Sequence, residues 1–231
     1  MTPDTAARPL AAMILAAGRG ERMRPLTDSV PKPLLAVGGR PLIEHHLENI
    51  ARAGIREVVI NLAWLGSRIR AALGDGSRFG VRIRYSPEEP QALETGGGIF
   101  RALPMLGADA FLVVNGDVYC DYPFERAALP GGRDAHLVLV PNPPQHPHGD
   151  FGLEDGLALA EAAARFTYAG IAVYRRELFE DCRGGAFPLK PLLLRAMALR
   201  RCSAELYRGV WEDVGTPERL DALNRRLGGR G

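Results

Sequence analysis

The stretch Met13-Ile14-Leu15-Ala16-Ala17-Gly18-Arg19-Gly20-Glu21-Arg22-Met23-Arg24 decides how this chain is read. An apolar run enters two glycines one residue apart and then a basic cluster. The run from Leu10 to Ala17 is far too short to span a bilayer and has the character of a buried strand. Gly18 and Gly20 permit a sharp turn and a close backbone approach to a phosphate, which a Cβ would obstruct. Arg22 would then meet the phosphate charge with a planar, forked donor set. A plain glycine turn with solvated arginines is the competing reading. A dinucleotide-binding fingerprint would need glycine where Met23 stands, and the Gly-Lys-Ser/Thr ending of a P-loop is missing.

Outward from this turn, strand-like runs alternate with segments of helical period. Strands are expected at Ala12–Ala17, Glu57–Asn61, Val81–Tyr85, Ala110–Asn115, Ala135–Val140 and Tyr168–Tyr174. Helices are expected at Pro41–Ala53, Leu65–Leu73, Gly98–Leu106, Lys190–Leu199 and Pro217–Leu227. Segment Glu205–Val214 reads as a pair of short strands, and Pro141–Gly152, rich in Pro, His and Gly, as a loop. The alternation implies an α/β, Rossmann-like, doubly wound and mostly parallel (mixed) sheet. No linker or repeat divides residues 1–231. The expectation is one domain, nucleotide-binding mainly in 1–140, with a loop-rich 141–231 laid over the sheet as a lid for a second substrate. Ligands in such sheets bind beyond the carboxyl ends of the strands, where the glycine turn lies.

Bulk properties narrow the partners. Hydrophobic residues make up 46% and charged residues 24% of the 231, and the net charge is +2. That balance gives no general attraction to nucleic acid or to an anionic membrane. Cys120, Cys182 and Cys202 form neither a CxxC nor a zinc-ligand spacing, which fits a reducing, cytoplasmic setting. Met1–Arg8 lacks the pattern of a secretory signal. Nothing in the pattern specifies an oligomeric state.

Pro31-Lys32-Pro33 follows the turn closely, and the flanking prolines narrow the positions open to the Lys32 ammonium. A fixed cation near a phosphate turn is what attack at an α-phosphate requires. Phe111-Leu112-Val113-Val114-Asn115-Gly116-Asp117 delivers Asn and Asp at the end of another apolar strand. Asp117 there could hold Mg²⁺, which takes one or two carboxylates plus phosphate oxygens, or could serve a turn.

Taken together, Leu15-Ala16-Ala17-Gly18-Arg19-Gly20-Glu21-Arg22-Met23-Arg24-Pro25-Leu26-Thr27 followed by Pro31-Lys32-Pro33 resembles the signature of the sugar-1-phosphate nucleotidyltransferase family. Trp211-Glu212-Asp213-Val214-Gly215-Thr216-Pro217 is similar to that family's second metal segment. The resemblance implies the fold of nucleotide-diphospho-sugar transferases and the joining of a nucleoside triphosphate to a sugar 1-phosphate. It implies Arg22 and Lys32 as catalytic cations, and Ala17, Gly18, Gly20, Glu21, Arg22, Lys32, Gly97 and Asn115 as nucleotide contacts. It further implies Asp117 and Asp213 as ligands of Mg²⁺, and Asp150, Glu161 and Gly170 on the sugar side. Asp150, as a single loop carboxylate, could equally be solvated. None of the five histidines looks poised for catalysis, and they are expected at the surface or in loops.

Ser86-Pro87-Glu88-Glu89 and Glu94-Thr95-Gly96-Gly97-Gly98 would face the base, with the glycines letting its flat edge pack on backbone; uracil, thymine and guanine all suit. The Glu-Lys-Pro segment of many relatives is missing, and the C-terminal β-helix or acyltransferase domain of longer relatives is not expected within these 231 residues. Asn61-Leu62-Ala63-Trp64-Leu65-Gly66, Gly74–Gly80 and Glu94–Gly98 resemble the uridylyltransferase branch that uses N-acetylmuramate α-1-phosphate, which favours UTP. The alternatives are a mannose-1-phosphate guanylyltransferase and a non-catalytic sugar-nucleotide-binding regulatory subunit.

Overall fold

The computed structural model describes residues 6–88 and 92–228. Residues 1–5, which carry most of the chain-start reading, and Glu89 lie outside the described residues. In chain order the elements are β1 (Ala11–Leu15), a single turn α1 (Leu26–Ser29), the ribbon β2 (Ala36–Val37) and β3 (Arg40–Pro41), α2 (Leu42–Arg52), β4 (Glu57–Leu62), α3 (Gly66–Leu73) and β5 (Arg82–Pro87). There follow α4 (Glu94–Leu106), β6 (Ala110–Asn115), β7 (Val118–Cys120), β8 (Ala135–Val140), β9 (Phe151–Glu154), β10 (Leu157–Leu159) and β11 (Arg165–Arg175). The chain closes with α5 (Lys190–Ala198), β12 (Cys202–Leu206), β13 (Trp211–Asp213) and α6 (Pro217–Gly228).

Nine strands form one sheet in the order β5-β4-β1-β6-β11-β8-β12-β10-β9. The β5-β4-β1-β6 side is parallel throughout, as the strand–helix alternation requires. Beyond β6 the sheet is mixed. β11 runs antiparallel to both β6 and β8, β12 is parallel to β8, and β10 and β9 complete an antiparallel edge. β9 also pairs with the start of β11, through Gly152 and Phe151, so this edge curls back.

Helices cover both faces. Ala12, Ile14, Val58 and Ile60 face one core with Ile43, Leu47 and Ile69 from α2 and α3. Ala11, Met13, Val59 and Val113 face the other with Ile99 and Leu103 of α4 and Leu193 of α5. β1, β4 and β6 bury both faces, hence their unbroken apolar runs, while the edge strand β5 alternates buried and exposed residues.

The fold class holds, with three corrections. The second half is not a lid, because four of its strands, β9 to β12, extend the sheet itself. Those strands include β9 and β10, four and three residues long, too short to show periodicity beside Gly and Pro. The loop therefore ends before Phe151. Helix α4 begins at Glu94 and takes in Gly96, Gly97 and Gly98, although glycine is a poor helix former. Its close packing partners explain why. Finally, His46 is buried on the inner stripe of α2, stacked on Phe124.

Candidate active site

At the carboxyl end of β1 the chain leaves the sheet through Ala16–Gly20 and forms a short helical turn over Glu21–Met23. Gly20 has φ +68, and a Cβ there would stand 3.1 Å from Thr27 Cγ2 and 3.3 Å from Lys32 Cβ. The left-handed backbone and the close approach both call for glycine. Thr27 Oγ1 donates to Gly20 O at 2.8 Å, and Trp64 Nε1 donates to Thr27 O at 3.0 Å. The Arg19 guanidinium lies 4.3 Å from the centre of the Trp64 ring. The turn is thus tied to α1 and to the segment after β4.

Lys32 is 7% exposed, and its Nζ donates to Asp117 Oδ2 at 2.7 Å. A lysine so thoroughly buried needs a counter-charge, and Asp117, just past β6, supplies it. The turn, Glu21, Arg22, Lys32, Asn115 and Asp117 line one cleft of about 500 Å³, together with Asn61, Glu88, Glu94, Thr95 and Gly215. The structure therefore brings together Ala17, Gly18, Gly20, Glu21, Arg22, Lys32, Asn115 and Asp117, residues spread over a hundred positions.

Asp213 stands behind the wall. Strand β13 pairs antiparallel with β7, setting Asp213 opposite Val118, and Val214 N donates to Asp117 O at 3.0 Å. Asp213 accepts from the Arg219 guanidinium, and a Cβ on the cleft residue Gly215 would come within 2.9 Å of Asp213 Oδ1. Asp117 thus stands immediately before β7 and Asp213 at the end of the strand paired with it, each beside a cation. Among the described residues there is no group of three or more His, Cys, Asp or Glu side chains fit to hold a metal. Two carboxylates leave the remaining positions to phosphate oxygens and water, and this donor set fits Mg²⁺.

A second lobe of about 450 Å³ shares Leu15, Glu94, Thr95 and Asn115 with the first, and adds Asp150, Phe151, Tyr168 and Lys190. Asp150 Oδ2 accepts from Tyr168 N at 2.8 Å, and Asp150 Oδ1 lies 3.2 Å from His146 Nε2. Gly170, φ +72, underlies Asn115: a Cβ there would stand 2.6 Å from Asn115 Nδ2. Its place is beneath a cleft residue.

Two residues fall elsewhere. Glu161 is exposed in the bend between β10 and β11 and lines neither lobe. Gly97 is also outside both linings. A Cβ on it would meet Gly185 O at 2.2 Å, and Gly97 N donates to Phe187 O at 3.1 Å. Gly96 likewise faces Phe187, and a Cβ on Gly98 would collide with Glu88 Oε1 at 2.5 Å. A Cβ on any of the three would meet neighbouring protein, so close packing by itself calls for glycine here.

The sequence passed over Asn61, whose Oδ1 accepts from Ala16 N at 2.7 Å and whose Nδ2 donates to Glu88 Oε1 at 2.7 Å. Glu88 Oε2 accepts from Leu93 N at 2.8 Å. This buried chain fixes the floor under the glycine turn. The sequence signal was a polar Asn inside an apolar strand, a placement that costs free energy unless its hydrogen bonds are satisfied. Lys190 was also missed, whereas Glu94, with φ +57, lies in the segment expected to face the base and lines both lobes.

Residues 11–155 match the nucleotidyl transferase family. The chain is 51% identical over 223 residues to an N-acetylmuramate alpha-1-phosphate uridylyltransferase of Neisseria meningitidis serogroup B, covering 90% of this chain and 94% of that one. To a mannose-1-phosphate guanyltransferase of Aspergillus fumigatus it is 40% identical, over 90% of this chain but 61% of the relative. The fold is that of the solved structure of HddC from Yersinia pseudotuberculosis, with a TM-score of 0.76 at 19% identity over 94% of this chain and 99% of that one.

Proposed function

This chain belongs to the nucleotidyl transferase family, and from that premise we propose that it transfers UMP from UTP to N-acetylmuramate α-1-phosphate, giving UDP-N-acetylmuramate and pyrophosphate. One observation carries the reaction type: the glycine turn, Arg22, Lys32 and Asp117 line one cleft, with Lys32 and Asp117 in contact. The choice of base and sugar rests on the 51% identity that runs through nearly all of both chains.

The phosphates of UTP lie against the turn at Gly18–Gly20, where backbone approaches without a Cβ in the way. Arg22 neutralises triphosphate charge, and Lys32 is held at the α-phosphate. An oxygen of the sugar phosphate attacks the α-phosphorus in line; the new P–O bond forms as the bond to the β-phosphate breaks, and pyrophosphate leaves with the electron pair. The attacking phosphate oxygen is already anionic near neutral pH, so no general base is needed. Asp117 and Asp213 would hold Mg²⁺, which when bound neutralises charge on the transferring phosphates. Asn115, at the junction of the lobes, orients the nucleotide, and the second lobe receives the sugar beside Asp150.

Among the described residues no helix is long and apolar enough to cross a membrane. A cytoplasmic role in peptidoglycan recycling suits the substrate. The test is a panel of UTP, dTTP and GTP against N-acetylmuramate, N-acetylglucosamine and mannose 1-phosphates with Mg²⁺, followed by pyrophosphate release. UTP with N-acetylmuramate 1-phosphate should turn over fastest. Turnover confined to GTP with mannose 1-phosphate would replace this reading, and binding without turnover of any pair would point to the regulatory subunit.

A further inference from the structure

The chain contains only two lysines, Lys32 and Lys190, and every other basic residue apart from histidine is arginine. Both lysines line the cleft, one in each lobe. Lys32 is paired with Asp117 at 2.7 Å. Lys190, the first residue of α5, is exposed into the second lobe, and no ion pair among the described residues engages it.

Lys190 is the only Lys or Arg among that lobe's lining residues. The rest of the lining is apolar except for Glu94, Thr95, Asn115, Asp150 and Tyr168. Asp150 already accepts from Tyr168 N and stands beside His146, and the Tyr168 hydroxyl lies 2.9 Å from that of Tyr174. The hydroxyls of a neutral hexose can be met by Asp150, Thr95, Asn115 and Tyr168, which leaves the Lys190 ammonium as the lobe's one group suited to an anion. A mobile cation on a flexible stem, at the rim of a half-apolar pocket, suits a ligand with a carboxylate beside a short apolar group.

N-acetylmuramate differs from N-acetylglucosamine by such a group, an ether-linked lactyl carrying a methyl and a carboxylate. We propose that Lys190 is the specificity-determining residue for the lactyl carboxylate of the sugar substrate; this rests on the reading of the second lobe as the sugar site. Lys190 pairs with that carboxylate through a charge-assisted hydrogen bond while the lactyl methyl meets the apolar lining. It touches no reacting atom, so its effect is on selection rather than on the chemical step.

The measurement is the dissociation constant of UDP-N-acetylmuramate against that of UDP-N-acetylglucosamine, by calorimetry, for the intact chain and for Lys190→Ala, Lys190→Arg and Lys190→Glu. A hydrogen bond to a charged group makes the preference for the lactyl compound about 10- to 100-fold. Lys190→Ala should erase it by weakening UDP-N-acetylmuramate alone, Lys190→Arg should restore part of it, and Lys190→Glu should reverse it. Equal weakening of both nucleotides, or a preference that survives Lys190→Ala, overturns the proposal while leaving the reaction intact. An unsubstituted chain that binds neither compound, or turns over only another sugar phosphate, overturns the reading of the function beneath it.

Discussion

The phosphate lobe draws its backbone turn and both of its cations from one stretch, Leu15 to Pro33, and closes it with Asn115–Asp117. The sugar lobe takes Asp150 and Phe151 from the start of β9, Tyr168 from β11 and Lys190 from α5. The first lobe sits over the parallel strands β1, β4 and β6, whose carboxyl ends all point to one side. The second sits where β11 turns the sheet antiparallel. A triphosphate makes the same demand on any chain that binds it: close backbone and fixed positive charge. A sugar's demand is particular, so its contacts are placed by whichever segments happen to pack nearby.

Charge in the phosphate lobe should matter more than anything in the other. Asp117→Asn keeps an acceptor for the buried Lys32 but removes the anion. Turnover is expected to fall about 10³-fold or more with every sugar phosphate. The Tm should also fall, because the buried Lys32 loses its counter-charge, so turnover is read well below the melting range of the variant. Near-normal turnover would remove Asp117 from the chemistry.

Gly170→Ala probes the joint between the lobes. It forces a side chain into φ +72 and into Asn115, at a cost of about 1–3 kcal/mol in stability. The KM for the sugar phosphate is expected to rise about tenfold, a shift of roughly 1.4 kcal/mol. An unchanged KM with a lowered Tm would confine Gly170 to folding.

The smallest effect is read from pH. His46, on the helix that backs the strand following Asp117, has its pKa lowered by burial from 6.5 to about 4, and its Nε2 is buried with no hydrogen-bond partner among the described residues. The unfolded chain binds this proton more readily, so the stability due to the neutral ring is complete above pH 6.5 and is lost as pH falls toward 4. Lowering the pH from roughly 7.5 to 5.5 should cost about 1 kcal/mol in urea unfolding at this site. His46→Leu should flatten that part of the profile, and an unchanged profile would reassign it.

The sequence by itself determined the parallel half of the sheet and most of the phosphate lobe. Both rest on local physics: strands buried on two faces are apolar throughout, and a phosphate turn needs its glycines and cations close together in the chain. Tertiary structure alone decided the rest. Gly96–Gly98 give no sign in sequence that Phe187, Gly185 and Glu88 close in on them, and only packing shows that a Cβ has no room there. Lys190 looks like any exposed helix residue until α5, packed on β10 and β12, brings it to the lobe that Asn115 also lines. The short strands β9 and β10 form a local hairpin but join the sheet through β12 and the start of β11, pairings that periodicity within a few residues cannot express.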